Sequence, residues 1–134
     1  MKNVIFVLGF FAMLVSCKRP DTEIKERLIN ADSVAINFFK GDGSMDTVVA
    51  VMIVRDKKTI EQLSSLIGAS STEFNIKCGY DGSLHFFKQN RVEQNIDFRM
   101  NDKDCMCFSF NQNGKTVATI LSPEAKELLQ VLRK

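Results

Sequence analysis

Hydrophobic and polar residues recur along the chain with two different periods, and the changes of period divide it into helices and strands. Apolar residues follow helical spacing in three segments, and each segment has a capping residue at its start: Asp21 or Thr22, Asp56, and Ser122. Seven other segments alternate with period two or are continuously apolar, which predicts strands. The predicted helices end near residues 30, 67 and 132, and the predicted strands are 33–40, 47–55, 73–80, 83–88, 92–100, 105–110 and 115–121.

This order of elements, α-β-β-α-β-β-β-β-β-α, predicts an α+β domain. Because the connections between the later strands are short, we expect a largely antiparallel sheet, a strand meander, with the helices packed on one face. Two connections, Asp81-Gly82 and Asn113-Gly114, carry residues that tolerate a positive φ, which predicts tight hairpins there.

The side-chain pattern within two strands predicts their surroundings. Segment 47–55 (TVVAVMIVR) is apolar on both faces, which is typical of a central strand covered on each side. Segment 92–100 has the clearest alternation, so that Val92, Ile96, Phe98 and Met100 share one face, and the other face has Glu93, Asn95, Asp97 and Arg99. We therefore expect one face of the sheet to be core and the other to contact water.

The N-terminus has a different composition from the rest of the chain. Residues 1–16 contain twelve hydrophobic residues and one charge, Lys2. The apolar run 4–15 is shorter than the roughly 20 residues that a membrane-spanning helix needs. Its length suits the apolar region of a secretion signal.

The residues after this run, Leu14-Val15-Ser16-Cys17, resemble the lipobox of bacterial lipoproteins. The resemblance implies cleavage between Ser16 and Cys17, a diacylglyceryl group on the Cys17 thiol, and a fatty acyl group such as palmitate on the new amine. Several acyl chains on one residue give durable anchoring. An uncleaved signal anchor or ordinary secretion is the alternative interpretation.

The predicted organisation follows from this N-terminus. Residues 1–16 are a cleaved signal peptide, 17–22 are the lipidated cysteine and a short polar tether, and 23–134 form a single α+β domain. The protein is expected at a membrane of the bacterial cell envelope, on its periplasmic or its surface face. A net charge of +2, spread evenly along the chain, argues against a nucleic-acid partner.

Lipidation of Cys17 leaves Cys78, Cys105 and Cys107 in an oxidising compartment. Cys105 and Cys107 are too far apart along one strand, roughly 6.5 Å, to form a bridge without distortion. We therefore expect a Cys78–Cys105 disulfide, with Cys78–Cys107 or the absence of any bridge as the alternatives. In a flat meander the strands concerned lie about 14 Å apart, so the bridge needs a curled sheet or another strand order.

The residue types that carry out catalysis do not form a coherent set in this sequence. A thiol site would need a base, and His85, the only histidine, is expected to point to solvent from a strand face. The cysteine spacing is not that of a common zinc module, so no metal or cofactor is predicted. Tyr80 and Asp81 are candidates for a binding rim, and Phe39 and Phe87 are further aromatic candidates.

Three functions are compatible with this sequence. The first is a lipid-anchored binding or interaction module, with an envelope protein as its partner and no catalytic role. The second is a thiol-dependent enzyme or redox protein using Cys105 or Cys107, and the third is a purely structural lipoprotein. Segment 77–82 (KCGYDG), the meander and the Ser-Pro-Glu helix start resemble small bacterial envelope lipoproteins, which implies no activity.

Overall fold

A computed structural model describes residues 20–41, 45, 47–68, 71–72 and 79–134. The elements follow the predicted order, three helices and seven strands, and confirm the α+β class. They are α1 (Pro20–Ile29), β1 (Ser33–Phe39), β2 (Val48–Val54), α2 (Lys57–Ile67), β3 (Ser71–Thr72), β4 (Gly82–Lys88), β5 (Arg91–Arg99), β6 (Cys107–Gln112), β7 (Lys115–Ile120) and α3 (Pro123–Leu132). The predicted signal peptide, the Ser16–Cys17 cleavage site and residues 73–78 of the predicted strand 73–80 lie outside the described residues.

All seven strands form one antiparallel sheet in the order β2-β1-β4-β5-β6-β7-β3. Only β4 to β7 form a meander. Strand β4 pairs with β1, whereas β3 lies at the opposite edge beside β7, so β3 and β4 are not neighbours. The strand predicted at 73–80 lies mostly outside the described residues, and β3 precedes it at Ser71–Thr72.

The core lies between the three helices and one face of the sheet, which we call the inner face. Val34, Ile36 and Phe38 of β1 are fully buried on it. They align with residues of β4 and β5 that are equally buried, among them Phe86 and Phe98. Side chains from each helix belong to the same cluster: Ile24 and Leu28, Ile60, Leu63 and Ile67, and Ala125 and Leu129. The helices thus cover one face, as expected, and leave the other, the outer face.

Local sequence signals account for the starts of α2 and α3. The carboxylate of Asp56 accepts the Thr59 N–H at 3.0 Å, and the hydroxyl of Ser122 accepts the Ala125 N–H at 3.1 Å. Both are N-caps, which supply an acceptor for a helical N–H that lacks an intrahelical partner. Helix α1 begins at Pro20, inside the segment predicted to be a tether.

Two connections are two-residue hairpins. Asn113 and Gly114 have φ values of 53° and 77°, and Gln89 and Asn90 have values of 50° and 63°, as such a turn requires. The connection at Asp81-Gly82 was wrongly predicted to be a third. Gly82 is the first residue of β4, and a Cβ there would overlap the Asn37 carbonyl oxygen and the Phe98 ring. Close packing is therefore the reason for this glycine.

Strand β2 is an edge strand, which corrects the expectation of a central one. Its only neighbour in the described sheet is β1. Val54 is buried on the inner face, whereas Val48, Val49, Val51 and Ile53 are 46–59% exposed. The apolar outer positions of β2 are thus not covered by the described part of the chain.

A bulge corrects the predicted face of one residue in β5. The register shifts between Phe86 and Phe87, so that Gln94 pairs with Phe86 and Val92 pairs with Phe87. Val92 is 49% exposed, while Gln94 is buried on the inner face. One extra residue in a strand reverses the faces of the residues beyond it, which periodicity alone does not reveal.

Candidate functional site

Polar side chains from three neighbouring strands meet at the centre of the outer face. In the register of β1, β4 and β5, His85 lies between Ala35 and Asn95, and Ser83 lies between Asn37 and Asp97. Residues directly opposite each other have Cβ atoms about 5 Å apart. We call Asn37, Ser83, His85, Asn95 and Asp97 the His85 cluster.

Hydrogen bonds to both ring nitrogens hold the imidazole of His85. Its Nε2 lies 3.2 Å from Asn37 Nδ2 and 3.1 Å from Ser83 Oγ, and its Nδ1 lies 2.6 Å from Asn95 Oδ1. An amide nitrogen only donates and an amide oxygen only accepts, so the proton is on Nδ1 and Nε2 accepts. The hydroxyl of Ser83 therefore donates to the lone pair of Nε2.

Asp97 adds a carboxylate to the cluster. Burial raises the pKa of Asp97 from its ordinary value, and a positive charge on the His85 ring, when both of its nitrogens are protonated, offsets part of that effect. Asp97 is half-buried, next to Ser83 in the register. The cluster thus combines a hydroxyl, an imidazole of defined tautomer, two amides and a carboxyl group on one half-buried surface.

A depression of about 240 Å³, lined by both polar and apolar side chains, adjoins this cluster. It is lined by Ala35, Ile53 and Phe87, together with Asp32, Ser33, Arg55, Gln89 and Asn90. Ala35 is directly opposite His85, and Phe87 is two residues further along the same face of β4. On the outer face, the apolar side chains of β2 therefore lie next to β1, the strand that contributes Asn37 to the His85 cluster.

The predicted rim residues have different positions. Tyr80 is half-buried, and its hydroxyl donates to Ser109 Oγ on β6 at 3.3 Å. Asp81 is only 2% exposed, and its carboxylate binds Arg99 and the backbone N–H groups of Met100 and Asn101. Asp81 therefore joins structural elements and is not accessible at a rim, whereas Tyr80 reaches across the outer face.

Phe39 and Phe87, the other aromatic candidates, are both half-buried on the outer face. Phe87 lines the depression, and Phe39 lies opposite Val48 of β2 after a bulge. The aromatic surface of the outer face is thus concentrated near β2.

The two cysteines in the described part of the chain, Cys105 and Cys107, do not form a reactive thiol site. Cys105 is disulfide-bonded, and Cys107 is a buried free thiol. Burial raises the pKa of the Cys107 thiol, and the charge of Arg99 offsets only part of the effect. A nucleophilic cysteine needs the opposite shift. Cys107 is therefore neither the bridging residue nor an activated thiol.

The position of Cys105 corrects one assumption about its strand. Cys105 precedes β6, in a turn where its N–H donates to the Asp102 carbonyl at 3.0 Å. It does not share a strand face with Cys107. Its predicted partner, Cys78, lies outside the described residues, so the Cys78–Cys105 pairing stays a prediction.

Two further observations concern metals and membranes. No group of three or more His, Cys, Asp and Glu side chains in the described ranges is placed to hold a metal ion. No helix within those ranges is long and apolar enough to cross a membrane.

The chain matches no protein-family model, no curated protein and no solved structure in comparisons with each.

Sequence reasoning missed Asn37, Ser83 and Asn95 as partners of His85. The signal was the period-two alternation, which places a polar residue between buried ones in each of the three strands: Asn37 between Ile36 and Phe38, Ser83 before Leu84, and Asn95 before Ile96. The sequence does not show that these positions are close together, because β1 and β4 are far apart along the chain. Their contact depends on the register in which the two strands pair.

Proposed function

We propose that this protein is a lipid-anchored lipoprotein of the bacterial cell envelope that acts as a binding module. Its partner is an extended, apolar segment of another envelope protein, which adds as a strand to the edge of β2. The observation that carries the proposal is the exposed apolar edge, with Val48, Val49, Val51 and Ile53 each 46–59% exposed.

The backbone of β2 supports strand addition. Its far side has no neighbour within the described sheet, so it presents a row of N–H and C=O groups to a further strand. An added strand makes main-chain hydrogen bonds with that row, and alternate side chains determine which segments fit. Natural edge strands usually carry charges or proline that block such pairing. Residues 48–54 of β2 carry neither.

The side chains of β2 indicate the chemistry of the partner. Covering each half-exposed valine contributes about 1 kcal/mol. Three exposed cations, Arg55, Lys57 and Lys58, and one exposed acid, Asp56, follow the uncharged strand, which leaves a net positive charge at its end. The partner segment is therefore apolar, with an acidic residue at the end that lies beside Arg55.

The lipid anchor supports the choice of an envelope protein as partner. Only Lys18 and Arg19 separate Cys17 from Pro20, the first residue of α1. A domain tethered so closely meets other proteins of the same membrane at a high effective concentration. A modest affinity at β2 would then be sufficient for binding.

Site-specific photo-crosslinking in intact envelopes tests the proposal. A photoreactive residue replaces Val51 or Ile53 in the full chain, and the matched control replaces Val92, which is 49% exposed on β5. We expect one protein to crosslink from positions 51 and 53 but not from 92. The crosslinked peptide should be an extended, apolar segment with an acidic residue at its end. The additional substitution Arg55→Glu should weaken this crosslink.

Other results would overturn the proposal. Crosslinking to a second copy of the chain would make β2 a dimer interface. Equal crosslinking from positions 51 and 92 would mean that contact with β2 is not specific. Absence of a crosslink from positions 51 and 53 would favour a purely structural lipoprotein.

Anchoring is tested separately. Cys17→Ala should abolish labelling with radioactive palmitate and release the protein from membranes, whereas Cys107→Ala should leave both unchanged. Unchanged labelling of Cys17→Ala would overturn the lipoprotein assignment without affecting the proposal for β2.

A further inference from the structure

The hydrogen-bond chain of Ser83, His85 and Asn95 has a geometry that goes beyond binding. The hydroxyl of Ser83 lies 3.1 Å from Nε2 of His85, and the opposite ring nitrogen, Nδ1, lies 2.6 Å from Asn95 Oδ1. This is the relation of nucleophile, general base and orienting group found in acyl-transfer sites. We propose that Ser83 is a nucleophile for small carboxylic esters.

The hydrogen bonds define the role of each group. Asn95 accepts the Nδ1 proton, which leaves the Nε2 lone pair as the acceptor that Ser83 and the Asn37 amide share. Asn37 is directly opposite Ser83, and its amide nitrogen lies 3.2 Å from Nε2. We assign the second N–H of that nitrogen to an oxyanion formed beside Ser83. A side-chain amide can stabilise such an oxyanion.

The depression beside the cluster determines the substrate class. Ala35 lies diagonally from Ser83, at roughly 7–8 Å across the strand pair, and it lines the depression together with Ile53 and Phe87. An acyl chain of about five carbons spans that distance. The expected substrates are therefore esters with a short, apolar acyl chain.

The reaction has two balanced steps. Ser83 Oγ attacks the ester carbonyl carbon while its proton passes to His85 Nε2. The C–O bond to the leaving alcohol then breaks, and the alcohol takes that proton. Water attacks the resulting acyl-serine, loses a proton to Nε2, and releases the carboxylic acid as Ser83 regains its proton. The sum is ester plus water to acid plus alcohol.

The test uses a fluorophosphonate probe and p-nitrophenyl hexanoate on the full chain, purified in mild detergent. The probe forms a P–O bond to a reactive serine and releases fluoride, so mass spectrometry locates the label. We expect a label on Ser83 and turnover of the ester. Both should be lost in Ser83→Ala and fall about a hundredfold in His85→Ala, because the general base is removed.

Matched variants separate chemistry from folding. Ser109→Ala alters a serine that is 3% exposed on the same face, against 6% for Ser83, but that binds Tyr80 and not histidine. Its labelling should equal that of the wild type. Asn95→Ala removes an exposed side chain, so it should keep the fold while labelling slows at least tenfold. An unlabelled wild type, or turnover that persists in Ser83→Ala, would overturn the proposal and leave binding at β2 unaffected.

Discussion

The carboxylate of Asp81 lies 3.0 Å from Nη1 of Arg99, and the two side chains are 1% and 15% exposed. The second oxygen of the same carboxylate accepts the N–H groups of Met100 and Asn101 at 2.7 and 2.9 Å. One residue therefore connects the start of β4 to the end of β5. This arrangement explains why Asp81 is buried although its place before a glycine indicates a turn.

Asp81→Ala should be among the most damaging substitutions in the protein. It leaves the Arg99 guanidinium buried without its carboxylate and removes the acceptor of two backbone N–H groups. Breaking a buried ion pair from one side costs about 3 kcal/mol or more. Urea unfolding measures the effect, with the exposed Asp104→Ala as the control. A loss below about 1 kcal/mol would contradict the role assigned to Asp81.

Gly82→Ala should also destabilise the fold, because the added methyl overlaps the Asn37 carbonyl and the Phe98 ring. Overpacking of this kind costs about 2 kcal/mol or more. Gly114→Ala is the comparison, since that glycine has open space around it and a φ of 77°. Its cost should be about 1 kcal/mol, from backbone strain alone. Equal melting temperatures for the two variants would refute the packing argument.

Ser122→Ala tests the start of α3. The Ser122 hydroxyl accepts the Ala125 N–H, and loss of an N-cap typically costs about 1 kcal/mol. Thermal unfolding should show the decrease. Ser65→Ala, an exposed serine late in α2, should have almost no effect.

Asp97→Asn should stabilise the protein at neutral pH. Burial raises the pKa of Asp97, so the folded state binds its proton more tightly than the unfolded state does. The protonated carboxyl of Asp97 contributes its full stabilisation below pH 3.8, the ordinary pKa. That contribution is lost as the pH rises through the raised pKa of the folded state. We would measure the free energy of unfolding from pH 3 to 7. The increase caused by Asp97→Asn should become smaller as the pH falls towards 3.8. Glu93→Gln, an exposed change on the same strand, controls for the loss of one charge. A gain that does not depend on pH would rule out burial of this carboxyl as the cause.

The cysteines should react in a defined order with iodoacetamide. Cys107 is 3% exposed with a raised pKa, so it should stay unmodified in the folded protein. Unfolding without reductant should expose Cys107 alone, and unfolding with reductant should also expose Cys78 and Cys105. Peptide mapping identifies each site. Modification of Cys105 before reduction would exclude the predicted Cys78–Cys105 bridge.

Short-range signals were sufficient to predict most elements. A serine cap, a proline and a glutamate predict the start of α3, and the structure places its first residue at Pro123. The same holds for α2 after Asp56 and for the hairpin at Asn113-Gly114. These features depend on residues within four positions of each other, so they are visible in the sequence.

The predictions for β2 and Val92 were wrong for a common physical reason. The surroundings of a strand residue depend on neighbouring strands that are distant in the sequence. An apolar strand such as β2 has the same pattern at an edge as at the centre of a sheet. Val92 follows the alternation of β5, yet a bulge against β4 moves it to the outer face.

The sequence by itself determined the order of the elements, the caps of α2 and α3, and the buried face of strands such as β1 that have a regular alternation. Only the tertiary structure decided the strand order, which leaves β2 at an edge and inserts β4 between β1 and β5. That insertion brings Asn37, Ser83 and Asn95 around His85. In a strand without a bulge, periodicity specifies the face on which a residue lies, whereas the register between strands specifies the side chains that it contacts.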